Sequence, residues 1–578
     1  MTFIPRSEYP RPNFVRENWM TLNGPWEFSF DEERYDKQII VPYAYQTKLS
    51  GIGSKEFHEI VWYKKEVQLP KGMMDKQVLL HFGAVDYECR VWVNNHMVGS
   101  HIGGQTSFSF NITEALHKKG LNIIRVEVKD YPQDLEIPRG KQFWEKQSRS
   151  VFYTPTTGIW QSVWLEAVSD TYIKDVLITP VFDERSVKVE YELEKAQGSI
   201  LEIDITYKEV LVNQFGLQVG SNRGSVTVQL DQAKLNSWNF HEDLAWTPEN
   251  PRLFGISFRL KIEDEITDQV ESYFGMRKVS VEDGVFLLNN QPYYQKLILD
   301  QGYWEESLLT APTDEDFIKD IQLTKQMGFN GVRKHQKVED PRYLYHADRL
   351  GLLVWGEIGA AYTYSRQYVK RITDEWMDVV LRDYNHPCIV AWTPLNESWG
   401  VQEISHNSMQ QAHCNSLYYL TKSLDSTRLV IENDGWEHTY GDLFTIHDYE
   451  SREQILRGRY ESLDSTLSAI PAGRALYAKG WKYKGQPILM TEFGGISYRA
   501  DDKSIDGWGY SAASSHDDFL QRYQAVIRPI LESPVIQGFC YTQLADVEQE
   551  INGLLTYARM PKAELGEIKK INEGKWFD

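Results

Sequence analysis

The stretch Ile389-Val-Ala-Trp-Thr-Pro-Leu-Asn-Glu-Ser-Trp-Gly400 and its counterpart Pro487-Ile-Leu-Met-Thr-Glu-Phe-Gly-Gly495 follow one pattern. Each is an apolar run too short for a helix, leading within a few residues to a glutamate and then to glycine. Such a run between breakers reads as a strand buried on both faces. Six more follow the same rule: Tyr293–Leu299, Gly331–Arg333, Leu352–Trp355, Leu429–Glu432, Leu443–His447 and Gly538–Thr542. Helical patterns lie between them. Thr313 offers its hydroxyl to the amide of Asp316, ahead of an apolar stripe through Phe317, Ile318 and Ile321. Tyr343, Leu344, Ala347 and Leu350 share one helix face that stops at Gly351. Eight strands alternating with helices over about 300 residues predict a (β/α)₈ TIM barrel at 280–578. The competing doubly wound sheet calls for a G-x-G-x-x-G turn after its first strand, and the sequence has none there.

Upstream of the barrel the rhythm changes to period two. Ile124, Val126 and Val128 alternate with Arg125, Glu127 and Lys129, and Arg90–Val93 runs into the turn pair Asn94-Asn95. Short strands with glycine turns and few helical runs predict a jelly-roll β-sandwich over 1–168. From 169 to 279 the alternation continues (Val187, Val189, Tyr191; then Ile256, Phe258, Leu260), a length and pattern suited to an immunoglobulin-like sandwich. The expected chain is therefore multidomain, with two β-sandwiches preceding a barrel.

Composition narrows the function classes. With 62 basic and 82 acidic residues the net charge is −20, a surface that repels phosphate backbones and anionic membranes, so neither nucleic acid nor a membrane is expected as partner. Aromatic residues make up 13%, which suits both large β cores and the C–H faces of sugar rings. Cys89, Cys388, Cys414 and Cys540 are too scattered for a disulfide framework or a zinc site. No leader-like or membrane-spanning apolar run is seen, and the expectation is a cytoplasmic protein.

A barrel of this type carries its site at the C-terminal strand ends. Those positions hold Asp300, Arg333, His335, Glu357, Asn396, Glu397, Glu432, His447, Tyr449, Glu492, Tyr541 and Gln543. One polar residue after an apolar strand is ordinarily a helix cap or an ion-pair partner, because buried charge is costly unless paired. Several converging on one mouth indicate a site. Cleavage of a glycosidic bond needs a proton for the leaving oxygen and an anion to meet the oxocarbenium-like carbon, so two carboxyls suffice. Glu397 and Glu492, after the fourth and seventh strands, are the candidate pair. Like-charge repulsion between neighbouring carboxylates keeps one of them protonated near neutral pH.

The run Arg382-Asp-Tyr-Asn-His-Pro387, with Trp392 and Asn396-Glu397, resembles the acid/base signature of glycoside hydrolase family 2, and Thr491-Glu-Phe-Gly494 is similar to its nucleophile motif. Leu22-Asn-Gly-Pro-Trp-Glu27, Gly83-Ala-Val-Asp-Tyr87 and Thr157-Gly-Ile-Trp160 resemble the family's N-terminal domain; Trp246-Thr-Pro-Glu-Asn-Pro251 and Tyr273-Phe-Gly-Met-Arg277 resemble the close of its immunoglobulin-like domain. The resemblance implies Glu397 as acid/base, Glu492 as nucleophile, Asn396 on the sugar 2-hydroxyl and Arg333 beside Glu492. It also implies Tyr449 as a donor to the nucleophile, His447 near sugar hydroxyls, and Asp300, Trp399 and Tyr541 as walls of the first subsite. The sequence departs from the family at three places. Arg333-Lys-His335 shortens the usual Arg-x-x-His spacing, which bears on His335; Tyr541 stands where the family has tryptophan; and Glu357-Ile-Gly-Ala-Ala-Tyr362 lacks the acid and histidine that hold magnesium in large β-galactosidases. No metal and no cofactor are therefore expected. The Asn-x-Lys element of β-glucuronidases is replaced by Glu550-Ile-Asn-Gly553.

The implied activity is that of a retaining exo-β-glycosidase on small oligosaccharides or glycoconjugates, with β-galactoside named first. β-Glucosidase, β-glucuronidase and transglycosylase stay open, as does a non-catalytic carbohydrate-binding protein. Because family members are often dimers or tetramers, the resemblance also implies a homo-oligomer.

Overall fold

The computed structural model describes residues 4–577 except 231, 236, 238 and 500–506. Two antiparallel sheets form the first sandwich. One contains Trp19–Thr21, Val163–Val168, Gln77–Phe82 and Phe108–Asn111; the other, of six strands, is centred on Ile60–Gln68 and Leu121–Lys129. Ile124, Val126 and Val128 point into the core with Trp26, Phe28 and Tyr63, whereas Arg125 and Lys129 face outward. Glu127, on the outward face, is covered nonetheless and lies 3.6 Å from Arg90. The hairpin at Asn94 forms between Glu88–Val93 and His96–Ile102, with Asn94 at φ 54°. In the second sandwich a three-stranded sheet (Tyr172–Val181, Ser186–Glu194, Arg223–Gln229) faces a four-stranded one, and Val187, Val189, Ile256, Phe258 and Leu260 fill the space between. Burying each such side chain contributes about 1.5–3 kcal/mol.

The barrel consists of β1 (Gln295–Asp300), β2 (Gly331–Lys334), β3 (Leu353–Glu357), β4 (Ile389–Thr393), β5 (Leu429–Val430), β6 (Phe444–Asp448), β7 (Ile488–Phe493) and β8 (Ile536–Tyr541). They pair in parallel in the cyclic order of the chain, including β8 with β1. The seam between β5 and β6 lacks a ladder and is spanned by Asp442, whose amide donates to Val430 O and whose carboxylate accepts from Val430 N. The helices start and stop where local chemistry dictates. Thr313 and Asp316 make a reciprocal capping box, and the helix Pro341–Leu350 begins at Asp340 and ends on Gly351 at φ 75°. A Cβ at Gly351 would meet Pro248 O at 2.3 Å, so that glycine also lets the Pro-rich turn of the second sandwich lie against the barrel.

The Arg382–Pro387 signature turns out to be architectural. His386 and the amide of Cys388 both contact Asp348, Asn385 donates to Val176 O in the second sandwich, and Pro387 O accepts from Arg277. The segment joins domains and fixes the entry to β4. The first sandwich reaches the barrel mouth by a different route. Its segment 131–157 crosses to the top of the barrel, where Arg139 N and Gly140 N donate to Ala360 O and Tyr362 N donates to Leu135 O.

Candidate active site

Glu397 sits four residues past β4, and Glu492 is the fifth residue of β7. Both deliveries involve irregular backbone. Glu397 and Ser398 have φ of 51° and 57°, in the left-handed region that side chains disfavour. The turn is held by Glu397 N to Asp434 O, Ser398 N to Asn433 Oδ1 and Trp399 N to Asn396 O. On β7 the pairing with β6 shifts register, so that Met490 faces Ile446 but Glu492 faces His447. This bulge re-aims the carboxylate into the mouth.

The result is a compact charged cluster. One ligand atom each of Glu397, His447 and Glu492 lie within 4.8 Å of one another. Arg333, fully buried, is the hub: its guanidinium donates to Glu492 Oε1 (2.8 Å), Glu357 Oε2 (2.9 Å) and Asn396 Oδ1 (2.7 Å), and lies 2.6 Å from Asp434. Tyr449 donates its hydroxyl to Glu492 Oε2 at 2.6 Å. His447 meets Glu397 Oε1 at 2.8 Å through Nδ1 and Asp434 Oδ2 at 2.9 Å through Nε2, and its Nδ1 is 3.5 Å from Glu492 Oε2.

Burial opposes ionisation of Glu492, but the cations of His447 and Arg333 outweigh it and bring its pKa down to about 2. Burial also opposes the charge on His447, yet Glu492 and Asp434 raise its pKa to about 10. His335 goes the other way: burial, then the positive charges of Lys141 and Arg333, push it well below the ordinary histidine range. Its Nδ1 lies 2.8 Å from Arg333 Nη2 and 3.9 Å from Glu492 Oε1. The spacing of Glu397, His447 and Glu492 would also suit a metal ion.

The remaining candidates divide. Asn396 sits at the cluster with Nδ2 buried and unpartnered among the described residues. Trp399 Nε1 lies 3.4 Å from Glu397 Oε2. Asp300 is committed elsewhere, to Lys334 and the amide of Gly302. Tyr541 is fully buried, edge-on to Phe493 and Tyr523, and backs the turn at Gly494, where a Cβ would strike its ring at 2.2 Å. Its ring therefore packs between the strand and the helix His516–Leu531, behind the sheet, rather than forming an open subsite wall. Arg333, with no exposure, reaches a sugar only through the side chains it holds.

Sequence reading missed several participants. Asp434 joins Arg333, His447 and Thr491, because β5 ends at Val430 and the chain runs four residues further before turning inward; Glu432 instead accepts from Thr439 N and contacts His438. Tyr510 stacks on Tyr449 at 3.4 Å and 6°. Glu550 accepts from Tyr153 of the first sandwich at 2.6 Å, and burial raises its pKa against the pull of Lys141. No periodicity marks these loop residues. The aromatic density of 143–153 marks only Tyr153, the partner of Glu550.

Three family models cover the chain in order: the sugar binding domain of glycosyl hydrolases family 2 at residues 20–165, the glycosyl hydrolases family 2 domain at 171–277, and the family's TIM barrel domain at 279–574. The chain belongs to glycosyl hydrolases family 2. Among relatives of this family 2 chain, the β-galactosidase of Thermoanaerobacter pseudethanolicus is 29% identical over 452 residues, covering 74% of this chain. The chain spans only 56% of the length of that relative. The β-glucuronidase of Streptococcus agalactiae is 22% identical over 96% of both chains. In architecture the family 2 chain is similar to an uncultured Clostridium β-glucuronidase (TM-score 0.77, 18% identity, 97% of this chain and 99% of that one). It is also similar to an Eisenbergiella tayi β-galacturonidase (TM-score 0.76, 18% identity, 99% and 98%).

Proposed function

We propose that this protein is a retaining exo-β-glycosidase working by double displacement. The observation that carries the reading is the approach of the Glu397 and Glu492 carboxylates to within 4.8 Å. Retaining enzymes hold their two carboxyls about 5–5.5 Å apart, whereas inverting ones leave about 6.5–9.5 Å for a water. In this reading Glu492, kept ionised by Arg333 and His447, attacks the anomeric carbon while Glu397 protonates the departing oxygen. Glu397 then takes a proton from water, which releases the sugar from Glu492. Asn396 Nδ2, lacking a partner among the described residues, is free to donate to the sugar 2-hydroxyl. Full turnover after exhaustive chelation is expected, since every step uses side chains alone.

For the sugar, β-galactoside is the first reading, supported by the name of the 29%-identical relative and by Glu550, an acidic side chain in the stretch that replaces the Asn-x-Lys element of β-glucuronidases. A β-glucuronide is the second reading, favoured by Lys141, a covered cation that acts on both His335 and Glu550. A panel of chromogenic β-galactoside, β-glucoside, β-glucuronide, β-mannoside, β-fucoside and α-controls decides between them. Product analysis at high sugar concentration separates hydrolysis from transglycosylation. Glu492→Gln should abolish turnover with the fold intact by circular dichroism. Wild-type-like rates from the pure variant would end this assignment.

A further inference from the structure

The two oxygens of Glu397 face different surroundings. Oε1 is shared with His447, which also meets Glu492; Oε2 faces Trp399 at 3.4 Å. Beyond Trp399 the rings continue without a break. Tyr362 lies 5.3 Å from Trp399 and Phe152 lies 6.4 Å from it; Trp144 closes on Phe152 at 4.8 Å and on Tyr362 at 5.0 Å. Trp144, Phe152 and Trp399 keep part of their surface open, while Tyr362 is covered, its hydroxyl spent on Gly140 O. Two of these four rings come from the first sandwich and two from the barrel, so the cluster exists only when the domains are joined. The sandwich segment is fixed at both ends of the crossing. Gln549 donates to Ser150 O and Phe152 O, Trp508 donates to Ser150 O, and Arg139 and Gly140 hold Ala360. Rings that only filled a core would be covered, and rings that only joined domains would not need to abut a reactive carboxylate.

We propose that Trp144, Phe152, Tyr362 and Trp399 form the seat of the leaving group: a ring-bearing aglycone whose flat apolar face stacks there while Glu397 protonates the glycosidic oxygen. The inference rests on the glycosidase reading and adds the substrate class. Its logic is positional. The acid of a double displacement stands on the side from which the leaving group departs, and aromatic faces bind flat C–H or π surfaces while their edges stay polar. On the Glu492 side Tyr449 presents a hydroxyl to the carboxylate instead of an open ring face. Two sources share the required chemistry, a second pyranose ring and a phenolic ring.

The test uses the full chain and three substrates of whichever sugar the chromogenic panel identifies: the β-glycosyl fluoride, a nitrophenyl β-glycoside and a β-disaccharide. The fluoride leaving group is too small to touch the rings. For Phe152→Ala and Trp144→Ala the ratio of kcat/KM on a ring-bearing substrate to that on the fluoride should fall about three- to tenfold, mainly through KM. A fall confined to the nitrophenyl glycoside assigns a phenolic leaving group, and one confined to the disaccharide assigns a second sugar. Phe152→Leu keeps bulk and removes the ring, and should give the same ratio if the alanine variant does not fold. Unchanged ratios in all variants overturn the proposal and leave the glycosidase reading standing. Failure of the wild type to turn over any glycosyl fluoride overturns both.

Discussion

Glu492 and Glu397 are the same residue type within 4.8 Å of each other, yet the protein treats them in opposite ways. Glu492 lies within a strand, is 4% exposed, and takes Arg333 on one oxygen and Tyr449 on the other. Glu397 stands on a left-handed turn, is part-exposed, and takes His447 on one oxygen and a weak indole contact on the other. A carboxylate locked by fixed cations stays ionised and keeps its direction, as a nucleophile requires. One on a left-handed turn beside open rings is, in the proposed mechanism, the side chain that meets the departing oxygen. Different environments giving two carboxyls different tasks is the general pattern of acid/base pairs. Here the division runs along the line between Arg333 and Trp399.

The largest expected effect comes from breaking the locked side. Arg333→Leu leaves Glu357, Asp434 and Glu492 facing each other without their shared cation. Removing one partner of a buried ion pair costs about 3–5 kcal/mol, and here three acids lose it together. The urea midpoint should fall accordingly, and turnover should vanish in whatever folds. Arg333→Lys should rescue little, since a point charge cannot reach several partners at once. A midpoint equal to wild type would mean that the cluster is not organised by this guanidinium.

On the open side the effect should be smaller and selective. Glu397→Ala should lower the rate by about 10²–10⁴ on poor leaving groups, with a smaller loss on good ones that need no proton. Stability should fall less than for Arg333→Leu, because Glu397 is part-exposed and meets one buried cation, His447, rather than joining three acids to one guanidinium. Equal losses across leaving groups would remove the distinction drawn between the two glutamates.

The two sides also differ in how readily the sequence betrays them. Glu397 and Glu492 are legible because each stands at or just beyond the end of an apolar run that reads as a strand, and the barrel follows from eight such runs. The two sandwiches follow from alternation at positions such as Ile124, Val126, Val187 and Phe258. Asp434, by contrast, enters from a loop after a strand of only two residues, and reading the run Leu429–Glu432 as all strand points to Glu432 instead. Tyr541 looks like a subsite wall because it ends β8, but successive strand residues alternate faces, and its ring turns outward onto the helix His516–Leu531. Lys141, Trp144 and Phe152 belong to another domain altogether. Local pattern carries strand and helix; it carries no information about which distant loop closes over the mouth.

His447 joins the two sides, and its removal gives the sharpest signature in pH. Its folded pKa is raised from 6.5 to about 10, so its contribution to stability is complete below pH 6.5 and is lost as pH rises through about 10. Glu492 is depressed from 4.5 to about 2, so its contribution is complete above pH 4.5 and is lost as pH falls through about 2. Both are fully present only between pH 4.5 and 6.5. His447→Gln deletes the first and weakens the second, because Glu492 loses the cation that does most to depress it. The Tm difference between wild type and variant should therefore be greatest in that window and shrink toward pH 10. Thermal melts at half-unit pH steps measure it. A difference that does not vary with pH would show that His447 is held by shape alone, and would leave Glu397 and Glu492 without an electrostatic link.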